Sequence, residues 1–281
     1  GVHYCGYPIS ELASMLPEDV IYLLFNKELP NHEQSSAFQD DLKSRGAIPD
    51  GIEQVLASLP LDGHPMDWLS IGIHTLGMLG GEGDWKSDAL NLVARMPRLL
   101  GLIFRYREGR SDNIPADDLS LDLVGRFTNT LDFGDVDKSI MDQVIATYLV
   151  LHMDHGGGNL STFAGKAVAS GHASVYSSMA GAMNALSGPL HGRANQSCFE
   201  FVKKIGTSDP DEVEAFVRGE LKARRPVFGF GHAVLRAEDP RATVQFALGE
   251  KICPEDEYFK TIRVLREIAP KVLSENPKIS N

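Results

Sequence analysis

The sequence predicts an all-α fold, and two observations carry that prediction. Apolar residues recur at three- and four-residue spacing in one segment after another, the period of a helix that buries one face. No segment shows the sustained apolar–polar alternation that would demand a β-sheet, and no internal repeat or low-complexity linker interrupts the pattern.

The elements follow in order. Pro17 suits the first turn of a helix whose apolar positions are Val20, Leu23 and Leu24, and which stops before Pro30. Asn31 caps a polar helix that ends at Gly46. Met66, Leu69, Ile73, Leu76 and Leu79 mark a helix from Pro65 to Leu79, closed by Gly80-Gly81. Ser87 opens another that runs through Leu90, Val93, Leu100, Ile103 and Phe104, with a kink expected at Pro97. From Ser139, the line Met141, Ile145, Tyr148 continues into His152 and His155, so both histidines are expected at a helix end, before Gly156-Gly157-Gly158. Ser161 to Ser187 is rich in Ala, Gly and Ser and reads as a helix that approaches a neighbour closely, in this chain or in another subunit. Asp209-Pro210-Asp211-Glu212 predicts a helix start with a capping box, followed by Val213, Phe216, Val217 and Leu221. A last helix runs from Glu255 to about Ser274 through Phe259, Ile262, Leu265, Ile268 and Leu273.

At 281 residues the chain can hold one large core or two domains. Its 43% hydrophobic and 23% charged residues are those of an ordinary globular protein. A net charge of −11 argues against a nucleic-acid surface, which needs clustered Lys and Arg. Three scattered cysteines, Cys5, Cys198 and Cys253, are too few for a disulfide framework and fit a reducing compartment. No apolar run approaches a membrane span, and the start shows no signal peptide. The chain starts at Gly1 and stops at Asn281 without a closing helix, and so reads as a piece of a longer protein.

Chemistry concentrates in three histidine segments. Gly188-Pro189-Leu190-His191-Gly192-Arg193-Ala194-Asn195-Gln196 holds a histidine between a Gly-Pro turn and a glycine, fixed in direction yet approachable. His152-Met153-Asp154-His155 precedes it, and Gly229-Phe230-Gly231-His232-Ala233 with Asp239-Pro240-Arg241 follows. Arg193, Lys222, Arg224, Arg225, Arg236 and Arg241 flank these segments, which on an acidic chain points to an anionic substrate. Taken singly, each histidine reads as structural. Three of them in glycine-marked turns after apolar helices read as a convergent acid/base site. His152 and His155 have the i, i+3 spacing of metal ligands but no third ligand, so no metal is expected. Gly229-Phe230-Gly231 lacks the third glycine of a dinucleotide fingerprint, and no Gly-x-Ser-x-Gly elbow is present.

In this order the three segments resemble those of the citrate synthase family, and the resemblance extends through Gly6-Tyr7-Pro8, His64-Pro65-Met66 and Tyr106-Arg107-Glu108-Gly109. The Gly-His-Ala-Val-Leu-Arg wording is closer to the mitochondrial-type branch than to the common bacterial hexameric one. The resemblance implies a two-domain helical homodimer, with a large domain over residues 1–190 and a small one over 191–281. It implies condensation of acetyl-CoA with oxaloacetate, acetyl-CoA being a co-substrate and no resident cofactor or metal being needed. By the same carry-over, His191 bonds the acetyl carbonyl as enolisation proceeds, His232 polarises the oxaloacetate ketone, and His155 and Arg241 hold its carboxylates. The implied compartment is the cytoplasm of a prokaryote or the mitochondrial matrix of a eukaryote.

Two departures qualify the match. Gly156 stands where an acidic residue is common in the family, and the family's aspartate base lies in an Asn-Val-Asp segment that residues 1–281 do not reach. The expectation is therefore that this base, with the large domain's closing helices, lies downstream of Asn281. A 2-methylcitrate synthase using propionyl-CoA and a catalytically silent assembly subunit are the alternatives the residues leave open.

Overall fold

The computed structural model describes residues 1–154, 156–230 and 237–275, and these residues form an all-α protein. Their contacts divide the chain into two compact units, Gly1–Gly188 and Pro189–Asn281.

The first unit opens on a hairpin of β1 (His3–Tyr4) and β2 (Tyr7–Pro8), which the sequence does not announce. Its turn puts Cys5 at φ 49° and Gly6 at φ 94°, the left-handed pair that a two-residue hairpin loop requires. The helices of this unit are α1 (Ile9–Leu12), α2 (Pro17–Asn26), α3 (His32–Arg45), α4 (Ile52–Ala57), α5 (Pro65–Gly80), α6 (Trp85–Arg107), α7 (Leu123–Leu131), α8 (Lys138–Leu151), α9 (Leu160–Ser170) and α10 (Val175–Leu186). Asn31 caps α3 in a full capping box with Gln34. For α6 the cap is Asp84, which accepts from Ser87 N–H at 2.8 Å; Ser87 itself lies inside the first turn, and the helix continues through Pro97 to Arg107.

The core of this unit is built from Trp68, Leu69, Ile73 and Leu76 of α5, Leu92, Leu99, Leu102 and Ile103 of α6, and Tyr176 and Ala180 of α10. Three glycines allow close approach of α5 to α6, of α5 to α10 and of α6 to α7. A Cβ on Gly72 would stand 2.8 Å from Leu99, on Gly77 2.7 Å from Tyr176, and on Gly101 2.5 Å from Thr130, all inside van der Waals contact. Arg126 is buried and satisfied: it donates to both carboxylate oxygens of Asp117 and to the carbonyls of Ala94 and Gly46. Gly46 ends α3 for that reason. Its φ of −69° needs no glycine, but a Cβ there would lie on the Arg126 guanidinium.

The small-residue segment is two helices, not one. The chain breaks at Gly171-His172, where His172 takes φ 59°, and the two helices fold back on each other. A Cβ on Gly181 would meet Val168 of α9 at 3.0 Å, and one on Gly165 would meet Ala182 of α10 at 3.2 Å, so these glycines serve packing within the chain. On α9, Leu160 and Phe163 are exposed.

The second unit consists of α11 (Ala194–Ile205), α12 (Pro210–Lys222), α13 (Pro240–Ile252) and α14 (Glu257–Ser274). Phe201, Val202 and Ile205 of α11 meet Val213 and Val217 of α12 and Leu265, Ala269 and Val272 of α14. Asp209 caps α12 as expected, accepting from Asp211 and Glu212 N–H. The expected capping box is not formed, because the N–H of Asp209 donates to Thr207 Oγ1 at 3.1 Å. Helix α13 is seated on α14 by aromatic contacts. Phe246 lies 6.1 Å from Phe259, Arg266 stacks on Phe246 at 4.1 Å, and Gly249 faces the Phe259 ring so closely that a Cβ would be 2.2 Å from Cε2.

No helix among the described residues is long and apolar enough to cross a membrane.

Candidate active site

Of the four residues singled out by the sequence, His191 and Arg241 are described, and both belong to the second unit. His155 and His232 lie outside the described residues, as does Arg236.

His191 is half-buried in the turn that leads into α11, preceded by the exposed Pro189 and Leu190. Arg193 occupies the N-cap position of α11 at φ −77° and ψ 3°, and its side chain makes no capping bond. The other three helices of the unit carry aspartate caps, Asp209, Asp239 and Asp256. The positive end of α11 thus stands two residues after His191, and its N-cap residue is not a carboxylate.

Arg241 occupies the first turn of α13. Asp239 is the N-cap of that helix and accepts from Arg241 N–H at 2.9 Å. The same carboxylate takes the guanidinium in a fork: Nε donates to Oδ1 and Oδ2 at 3.0 Å each, and Nη2 donates to Oδ2 at 2.6 Å. One aspartate therefore fixes both the backbone and the side chain of Arg241. A charged contact that engages both carboxylate oxygens in this way is geometrically specific and stronger than a neutral pair.

Among the flanking basic residues, Arg225 is also paired. It donates to both oxygens of the nearly buried Glu220, from Nε at 2.7 Å and Nη2 at 2.6 Å, and Lys204 adds a contact at 3.3 Å. These hydrogen bonds, Arg225 first, hold the Glu220 carboxyl down at about 2. The pair lines a groove of about 280 Å³ with Ser197, Glu200, Phe201, Pro226 and Phe228. The expected basic cluster is accordingly less positive than its sequence suggests, since Arg225 and Arg241 each face an acid. Spacing gives a hint of this: Glu220 precedes Arg225 by five residues, and Asp239 precedes Arg241 by two.

In the first unit, His152 closes α8 as expected. Its ring stacks on Tyr148 at 4.2 Å, and its Nδ1 lies 2.7 Å from the Tyr148 carbonyl oxygen. The line leading to it is not the buried one: Met141 and Ile145 are half-buried and Tyr148 is 44% exposed, whereas the buried residues of the helix are Val150 and Leu151. Asp154 turns the chain after this helix by accepting from Gly156 N–H at 2.8 Å. Gly156 has φ 63° and open space around its α-carbon, so backbone conformation and not crowding favours glycine at this departure from the family pattern.

The family model for the C-terminal domain of citrate synthase matches residues 2–280. Among curated relatives, the mitochondrial 2-methylcitrate synthase of Yarrowia lipolytica is 33% identical over 100% of this chain and 66% of its own length. The mitochondrial citrate synthase 4 of Arabidopsis thaliana is also 33% identical, over 96% of this chain and 60% of its own length. The chain thus spans less than two thirds of these relatives. Among solved structures, citrate synthase from Thermotoga maritima aligns with a TM-score of 0.83 at 28% identity, covering 98% of this chain and 72% of that one. A ternary complex of citrate synthase from Thermoplasma acidophilum with carboxymethyl coenzyme A and oxaloacetate shares the fold, with a TM-score of 0.84 at 22% identity, over 96% of this chain and 72% of that one.

Proposed function

Since the chain belongs to the citrate synthase family, we propose that it serves to condense acetyl-CoA with oxaloacetate, giving citrate and CoA. The observation that carries this reading is that one compact unit holds both a histidine in the turn before α11 and an arginine fixed at the start of α13. On this reading each side chain has a definite task. An acetyl thioester gives up its α-proton only reluctantly, because negative charge must develop on the carbonyl oxygen. His191 donates a hydrogen bond to that oxygen, and the positive end of α11 lowers the cost of the charge. Arg241 holds a carboxylate of oxaloacetate through its planar guanidinium. His155 assists it, and His232 polarises the ketone that the enol attacks; both assignments rest on the family motifs.

The reaction also needs a base for the acetyl proton. Asp154 accepts from Gly156 N–H in its own turn and Asp239 from the Arg241 guanidinium, so neither is assigned that role. We further propose a homodimer, on the strength of the exposed apolar residues Leu160 and Phe163 of α9.

The equal identity of the Yarrowia and Arabidopsis relatives supports 2-methylcitrate synthesis from propionyl-CoA as a second reading. One assay separates the two: oxaloacetate-dependent release of CoA from acetyl-CoA and from propionyl-CoA by the full-length protein. A pocket distinguishes a single methylene by only ~1–3 kcal/mol, so a 10- to 200-fold preference in kcat/KM is about the expected range. Release of CoA from neither thioester would refute both.

A further inference from the structure

We infer that Asp239 is the positioning residue for oxaloacetate capture, acting through Arg241; the inference rests on the citrate synthase reading above. An arginine side chain rotates about several bonds and must lose that freedom when it grips a substrate carboxylate. Here the protein itself imposes much of that loss. Asp239 accepts three guanidinium hydrogen bonds from Arg241 and a fourth from its backbone N–H, so the fork is oriented relative to the helix that carries it.

The backbone just before Asp239 is tied to α14. The residue before it, Glu238, accepts from Arg266 Nε of α14 at 2.9 Å, and Arg266 Nη2 donates to its other oxygen. Thr243 Oγ1, in the first turns of α13, donates to Glu238 at 2.8 Å. Arg266 also stacks on Phe246 of α13. The order of support runs from α14 through Arg266 and Glu238 to the start of α13, and from there through the Asp239 carboxylate to the guanidinium. Arg241 and Asp239 are each about one quarter exposed, so the pair is shielded enough to hold its geometry and open enough to meet a small dianion.

Asp239→Asn and Asp239→Ser separate this role from simple helix capping, because both side chains remain good N-caps while neither carries the charge. In the full-length protein, oxaloacetate affinity measured by calorimetry should fall about tenfold or more, further in the Ser variant than in the Asn variant. KM for oxaloacetate should rise in step, with kcat within about threefold of wild type and helix content by circular dichroism unchanged. Unchanged affinity in both variants would overturn the inference and leave Asp239 as a cap only. Tighter binding would overturn it in the opposite sense, making Asp239 a competitor for the fork. A wild-type protein that does not bind oxaloacetate would refute the citrate synthase reading and this inference with it, an outcome visible before any variant is made.

Discussion

Replacing Gly249 by Ala tests how far Arg241 depends on the seating of its helix. The new methyl carbon would stand 2.2 Å from Cε2 and 2.6 Å from Cζ of Phe259, well short of the 3.4 Å at which ordinary contact begins. The obstacle is an aromatic ring in contact with Phe246 and not the loose end of a flexible chain, so α13 must lift from α14 or the ring must leave its rotamer. Overpacking of this kind costs ~1–3 kcal/mol, and the better helix propensity of alanine returns up to ~1 kcal/mol, so a net loss of about 0–3 kcal/mol follows. Oxaloacetate binding should weaken as well, because Arg241 is carried by the helix that is displaced. Gly219 supplies the control. It lies within α12 of the same unit with nothing near its virtual Cβ, and Gly219→Ala should stabilise by ~0.5–1 kcal/mol with affinity unchanged. Thermal melts and calorimetry on the full-length variants provide both readouts. If the two alanines behave alike, the contact between Gly249 and Phe259 does not seat α13, and the route from α14 to Arg241 is wrong.

Three further outcomes are expected. His191→Ala should lower kcat by about 10²–10⁴-fold while oxaloacetate affinity stays within about threefold, and unchanged turnover in a folded variant would remove His191 from the mechanism. Arg241→Lys should weaken oxaloacetate binding about tenfold, because an ammonium cannot reproduce a planar two-bond fork; calorimetry with oxaloacetate checks this, and an unaltered affinity would place the carboxylate elsewhere. Glu18→Gln concerns stability: desolvation raises the Glu18 carboxyl above its usual range despite its bond from Leu123 N–H. A raised carboxyl contributes stability that is present below the ordinary value of 4.5 and is lost as pH rises through the raised one. The glutamine variant, whose amide oxygen can still accept from Leu123, should therefore melt higher than wild type near neutral pH and converge with it in acid, and a variant that melts lower at both would refute the argument.

The parts of this fold that are legible in the sequence are those governed by neighbours along the chain. Pro17, Asn31 and Asp209 start helices because their effects reach only two or three residues, and the structure starts helices at each. Helices that depend on distant partners are not legible in this way. Leu123–Leu131 contains a glycine, two threonines and an asparagine, all poor helix formers. It exists because Arg126 inserts between Asp117, Ala94 and Gly46, residues up to 80 positions away. The small-residue stretch reads as one helix for a related reason: alanine and glycine signal close approach but not what is approached, and here α9 and α10 approach each other.

The candidate site divides in the same way. The turn before α11 is recognisable because glycine and proline fix a histidine with local means, and His191 needs no distant residue to be noticed. Asp239-Pro240-Arg241 stands out in the sequence only as a flanking segment, with Arg241's grip on a carboxylate implied by the family resemblance; that Asp239 caps α13 and Pro240 opens it is added by the structure. The two-residue spacing only hints that the cap and the arginine share one carboxylate. The cap requires Asp239 Oδ1 to face the first amides of α13, and that orientation presents the rest of the carboxylate to the side chain of the residue whose amide it caps. An arginine placed two residues after an aspartate cap is thus prone to be held by it before any substrate arrives. The same geometry sets a condition on binding: oxaloacetate must either accept the guanidinium as Asp239 presents it or displace Asp239 and release the start of the helix. Only the first course leaves α13 capped while substrate is bound, which is why orientation and not competition is the role assigned to Asp239.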